Sequence, residues 1–147
     1  MIVLDTNVVS EVLARRPDPT VMEWLQHQDA SSLHLSAVTV AEVSYGIALL
    51  APGDRRTALA AAWDSIHTDV ADRVLTIGTS EAEAAGAVLA ARRRDGRPIS
   101  FADALIAGVC MARGYALATR NVKDFDGLGI IIIDPWTADP RGSGRAD

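Results

Sequence analysis

A chain of 147 residues with 49% apolar and 22% charged residues is long enough for one domain with a sizeable core and too apolar for a disordered segment. No stretch approaches the run of about 20 apolar residues that a membrane span needs, and the N-terminus enters an apolar segment without a basic leader, so a cytoplasmic protein with no membrane partner is expected. The net charge of −5 argues against a protein that coats nucleic acid, but leaves room for an enzyme whose acids hold metal cations.

Ile2, Val3 and Leu4 predict a short buried strand that ends on a carboxylate, Asp5. "NVVSEVLARR" has helical spacing up to Pro17, and "DPTVMEWLQHQ" follows with Asp18 as N-cap and Pro19 in the first helical position. "LHLSA" alternates like a strand. Ser36 then caps a helix through "VTVAEVSYGIALL" that stops before Pro52. "DRRTALAAAWDSI" reads as a helix, "RVLTI" as a strand, and "TSEAEAAGAVLAARRRDG" as a helix with a Ser80/Glu83 capping box and Gly96 as its stop. Arg92, Arg93, Arg94 and Arg97 suit the solvated C-terminal end of that helix.

"SFADALIAGVCMARG" repeats the design, with Ser100 as cap and Gly114 as terminator; its lone Cys110 is a small buried hydrophobe with no disulfide partner. "YALAT" is a strand, "NVKDF" a single turn, and "GIIII" a last strand closed by Asp134 and Pro135. The segment 137–147 lacks the apolar residues to pack and is expected to be a disordered tail, leaving one domain over 1–136. Strands alternating with helices define an α/β protein with a central, mainly parallel sheet flanked by helices.

In such a sheet, ligands bind beyond the carboxyl ends of the strands. Asp5 ends the first strand, Glu42 lies in the helix after the second, Asp103 in the first turn of a late helix, and Asn121 and Asp124 follow "YALAT". Each has a plainer alternative: Asp103 as capping partner of Ser100, Glu42 as an ordinary helical acid, Asp124 as a turn residue. Glu42 nevertheless stands alone among apolar neighbours and needs a partner. Carboxylates brought together repel and raise one another's pKa, a conflict that a hard cation such as Mg²⁺ relieves. His27, His34 and His67 lack metal-ligand spacing, and one Cys makes zinc a poor fit. Acid-held cations of this kind suit phosphodiester hydrolysis.

"IVLDTNVVSE", "LSAVTVAEVSYGI", "ISFADALIAGVCMARGYALATRNVKDF" and "DPW" together resemble the PIN-domain ribonucleases, and more narrowly the toxins of VapBC-type toxin–antitoxin pairs in the FitB-like branch. The resemblance covers residues 1–136. It implies a PIN-like fold and RNA cleavage with Mg²⁺ or Mn²⁺. By position, Asp5, Glu42 and Asp103 match the family's acidic triad, Thr6 and Asn7 its polar residues at the strand end, and Thr119 the threonine that opens its last motif. It also implies a homodimer and a cognate antitoxin, in a larger assembly that binds operator DNA through the antitoxin.

One departure stands out: where many relatives carry an acid after "TR", this chain has Asn121, with Asp124 three residues on, which favours one metal over two. Two other readings compete. A haloacid-dehalogenase-type phosphatase also starts from a strand-end Asp, but it requires an acid where this chain has Asn7. A non-catalytic PIN-like binding module would have lost its metal.

Overall fold

Five short strands form the sheet: β1 (Ile2–Leu4), β2 (Leu33–Ser36), β3 (Val74–Leu75), β4 (Ala116–Ala118) and β5 (Ile132–Ile133). In this computed structural model, which describes residues 1–138, they lie in the order β3-β2-β1-β4-β5, and every neighbouring pair is parallel. The helices are α1 (Thr6–Val12), α2 (Pro19–Gln26), α3 (Ala37–Ala48), α4 (Asp54–Asp69), α5 (Thr79–Arg94), α6 (Phe101–Arg113) and α7 (Val122–Phe125). The chain leaves β1 towards β2 and β3, then returns to the far side of β1 as β4 and β5. The order therefore reverses at β1, which opens a crevice beyond the carboxyl ends of β1 and β4.

Three clusters bury the faces of the sheet. Val3 and Leu117 pack with Ala104, Ile106, Ala107 and Val109 of α6 and with Phe125. Leu35 packs with Val9, Val43, Ile47 and Trp63 from α1, α3 and α4. Ala118 packs with Val8, Val21 and Trp24, and Trp136 leans on that cluster. Burying a side chain such as Leu35 or Ile106 contributes about 1.5–3 kcal/mol each, so α6, with Ala104 and five further buried residues from Ile106 to Cys110, is the helix around which one face is built. Burial also pushes the Cys110 thiol up to about 12, helped by the Asp5 charge, which leaves it inert as a nucleophile.

Most caps fall where the sequence puts them. The carboxylate of Asp18 accepts from the Thr20 N–H, Ser36 accepts from Thr39, and Ser100 accepts from Asp103. Gly114 ends α6 at φ 66°, a left-handed conformation that glycine adopts freely.

Three local expectations need correction. The first helix stops at Val12 rather than running on to Arg16, because Glu11 turns back to accept the Asp18 N–H at 2.7 Å and folds the chain towards α2. The Ser80/Glu83 capping box does not form: α5 starts at Thr79, and Glu81 accepts from the Gly78 N–H at 3.0 Å while pairing with Arg113 of α6 at 3.1 Å. An acid that can also reach a partner on the neighbouring helix wins over one that cannot.

Arg92 is not part of a solvated helix end. It is 4% exposed, and its guanidinium donates to the carbonyls of Asp124 at 2.9 Å and Asp126 at 2.5 Å, while Arg97 donates to that of Lys123 at 3.0 Å. Two arginines thus fasten α7 to the end of α5. Of the expected tail, Thr137 and Ala138 donate backbone hydrogen bonds to the Asp134 carbonyl, and residues 139–147 lie outside the described residues.

Candidate active site

Asp5 occupies the turn from β1 into α1. Its backbone is extended (φ −70°, ψ 158°), so its carboxylate caps α1 and accepts from the Thr6 N–H at 2.7 Å. The other oxygen accepts from the Asn7 side-chain amide at 2.7 Å and from the Thr119 hydroxyl at 2.6 Å. Thr119, fully buried at the end of β4, in turn accepts from the Asn121 N–H at 3.0 Å. The Asn7 side-chain oxygen accepts from the Arg120 backbone N–H at 3.2 Å. Asp5, Asn7, Thr119 and Asn121 therefore form one network that locks the ends of β1 and β4 together across the switch point.

Glu42 finds the partner its apolar helix lacks. The Thr6 hydroxyl donates to its carboxylate at 2.5 Å, which ties α3 to α1. Asp103 accepts from the Ser100 hydroxyl at 2.7 Å while its own N–H donates to that same hydroxyl at 3.0 Å, so it is a capping partner and a pocket residue at once. Asp5, Thr6, Asn7, Glu42, Asp103 and Asn121 all line one open pocket at the carboxyl edge of the sheet. Asp124 does not line it. That residue is exposed on α7, and its backbone carbonyl, not its carboxylate, is engaged.

Ser10, Glu11, Arg120 and Trp136 complete the lining and were not singled out from the sequence. For Ser10 and Glu11 a signal existed: they lie three and four residues after Asn7, on the same helix face. For Trp136, some 130 residues from Asp5 along the chain, no spacing rule applies.

The electrostatics are those of a site built for positive charge. Burial at 3% exposure is the largest cause raising the Asp5 pKa above the usual carboxylate range; the Thr119 and Thr6 hydrogen bonds oppose it, and the charges of Asp103 and Glu42 add to it. Among the described residues, no three acid, imidazole or thiolate groups are gathered closely enough to enclose an ion. An all-protein cage is thus not what the site offers. Hard oxygen donors spread around an open pocket fit Mg²⁺ or Mn²⁺, since Mg²⁺ keeps several of its waters and takes one or two carboxylates directly.

A raised carboxylate pKa has a defined sign. Asp5 holds its proton more tightly in the fold than in the unfolded chain, so its contribution to stability is present at low pH and is lost as pH rises through its folded value. Asp103→Asn removes one of the two charges that raise it, and the asparagine carbonyl can still accept from Ser100. The Asp5 carboxyl, followed by carbon-13 NMR in metal-free protein, should titrate at lower pH in this variant, and the melting temperature should fall less between acidic and neutral pH. An unchanged Asp5 titration would mean that solvent screens the two acids from each other.

A parallel α/β sheet with a polar-braced acid at its switch point and two further acids lining the same pocket has the layout of a hydrolytic domain. Residues 2–129 match the PIN domain family, and the chain belongs to it. It is 38% identical to the plasmid stability protein StbB of Pseudomonas syringae, over 94% of this chain and 100% of that one. It is 37% identical to the VapC ribonuclease Y4jK of Sinorhizobium fredii, over 92% and 98%. Among solved structures it is similar to FitAcB from Neisseria gonorrhoeae, with a TM-score of 0.87, 32% identity and coverage of 94% and 100%. The likeness extends to FitAB bound to an IR36 DNA fragment, with a TM-score of 0.88, 32% identity and coverage of 95% and 98%. The expected PIN-like fold is the one found.

Proposed function

We propose that the protein is a metal-dependent endoribonuclease, the toxin of a type II toxin–antitoxin pair, which hydrolyses RNA phosphodiesters in the acidic pocket with Mg²⁺ or Mn²⁺. One observation carries this reading: Asp5, Glu42 and Asp103, from three separate elements, line a single pocket at the switch point of a PIN domain. The ribonuclease relative aligns over 92% of the chain.

In this reading Asp5, Glu42 and Asp103 would hold the ion together, one or two of them directly and the rest through its waters. When bound, it supplies acidified water and neutralises charge on the phosphate and leaving oxygen. Thr119 and Asn7 fix the Asp5 carboxylate through its second oxygen, and Thr6 fixes Glu42, so neither acid has to be reoriented when substrate arrives. Asn121 adds an amide to the rim but no charge, which favours a single strongly held ion. Asp124 serves at most through water.

The partners follow from the same reading: a cognate antitoxin that silences the pocket, a homodimeric toxin, and an assembly that reaches operator DNA through the antitoxin. Support for the antitoxin and for DNA comes from the likeness to the FitAB complex on DNA. Among the described residues no helix is long and apolar enough to cross a membrane, in keeping with action in the cytoplasm.

The test is cleavage of total cellular RNA by the purified protein, freed of antitoxin, with Mn²⁺ or Mg²⁺ and with excess EDTA. Discrete fragments that vanish with EDTA are expected. A protein that binds Mn²⁺ by calorimetry yet cuts no RNA would sink the ribonuclease reading, and one that binds neither would point to a non-catalytic module.

A further inference from the structure

The acidic pocket has one basic residue and one aromatic residue in its lining, Arg120 and Trp136, and they touch. The Arg120 guanidinium carbon stands 5.1 Å from the centre of the Trp136 ring, within the range of a cation–π contact. The arrangement is unexpected on charge alone. Asp5, Glu11, Glu42 and Asp103 share the pocket, yet among the described residues the ion pairs are Arg73–Asp72 and Arg113–Glu81, and Arg120 joins none of the pocket acids.

Both ends of the contact are held. Trp136 packs on the cluster of Val8, Val21 and Trp24, and its backbone N–H donates to the Asp134 carboxylate at 3.0 Å. The backbone N–H of Arg120 hangs on Asn7, the residue that also braces Asp5. The charge is thus kept at the rim, facing solvent, over a ring that does not neutralise it.

A polyanion approaching a protein of net charge −5 through a mouth of four acids needs such a counter-charge. Guanidinium is the group that pairs with phosphate through two parallel hydrogen bonds. Building on the ribonuclease reading above, we infer that Arg120, held over Trp136 at the rim of the acidic pocket, is the RNA-binding residue that takes a phosphate flanking the cleaved bond. Single-stranded RNA is the form it fits, because when Arg120 turns to the phosphate the face of the half-buried Trp136 ring that it covered is left for a base to stack on.

The experiment compares wild type, Arg120→Ala and Arg120→Lys on a fluorophore-quencher single-stranded RNA of randomised sequence, with Mn²⁺ affinity measured in parallel by calorimetry. Arg120→Ala should raise KM about five- to tenfold, and reduce the salt dependence of kcat/KM by about one phosphate contact. Its Mn²⁺ affinity should hold or tighten slightly, since a nearby cation has gone. Arg120→Lys should keep the salt dependence and recover only part of the KM, because ammonium lacks the planar fork. An unchanged KM and salt slope in Arg120→Ala, with wild type active, would overturn the inference and leave the ribonuclease reading intact. Loss of Mn²⁺ binding in that variant would also overturn it, showing that Arg120 only props the pocket. Failure of wild type to cut any RNA would remove the reading and the inference together.

Discussion

Asp5→Asn and Asp103→Asn should each abolish RNA cleavage while leaving a folded protein. Each removes one hard anionic donor from a pocket that has three to offer, and an amide carries neither the charge nor the affinity for a divalent cation. A loss of about 4 kcal/mol of charge stabilisation at the phosphate corresponds to about a thousandfold in rate. The two variants differ in their structural cost. In Asp103→Asn the carbonyl oxygen still accepts from Ser100, so the fold is undisturbed. In Asp5→Asn the new amide faces the Asn7 amide, a donor against a donor, and the Thr119 hydroxyl oxygen, which already accepts from Asn7 and Asn121, offers it no free lone pair. That conflict costs about 1–3 kcal/mol, offset by removal of a buried charge whose pKa the fold raises. Both should therefore melt close to wild type without metal, and calorimetric Mn²⁺ titration should show weakened binding in both. Cleavage at the wild-type rate by Asp103→Asn, with contaminating nuclease excluded, would remove Asp103 from the site.

The part of this site that was legible in the sequence is the part carried by local rules. An apolar strand broken by Asp5 announces a carboxylate at a sheet edge, and a lone Glu42 in an apolar helix announces a partner. Ser100 followed by Asp103 reads as a cap whichever role the acid has. Alternation of strands and helices was enough for the architecture, and the order of motifs for the family. What escaped is carried by contacts between distant segments that leave no trace in spacing. Arg92 looks like its neighbours in a basic run, because its partners are carbonyls 32 and 34 residues later, and every residue has a carbonyl. The start of α5 depends on the same kind of contact: from sequence Ser80 with Glu83 reads as the cap, whereas in the fold Glu81 takes the Gly78 N–H and pairs with Arg113 on α6. Arg120 and Trp136 meet because β4 and the chain after β5 end side by side, a consequence of sheet order rather than of either residue's neighbours.

The same dependence on tertiary contact makes Gly108 a sensitive position outside the pocket. Local rules favour its replacement, because Gly→Ala inside a helix adds about 1 kcal/mol of stability. The packing of α6 against α5 opposes it. A Cβ on Gly108 would run into the Glu81 backbone carbonyl and stand 2.9 Å from the Ala85 backbone nitrogen and 3.1 Å from the Ala85 Cβ. Two of these neighbours are backbone of a helix, so relief requires the helices to separate, at a cost at the upper end of overpacking, about 3 kcal/mol. Gly108→Ala should thus destabilise the protein by about 2 kcal/mol net. Gly86→Ala, on α5 with nothing within 4 Å of the added carbon, should stabilise it by up to about 1 kcal/mol. Urea denaturation of the pair measures opposite signs for the same chemical change. Because α6 carries Asp103 in its first turn, a helix pushed off α5 also displaces that acid, so Gly108→Ala should lose Mn²⁺ affinity and RNA cleavage while Gly86→Ala keeps both. Equal stability in the two variants would show that α5 and α6 are not packed backbone to backbone at Gly108, and that Asp103 is placed by its own cap alone.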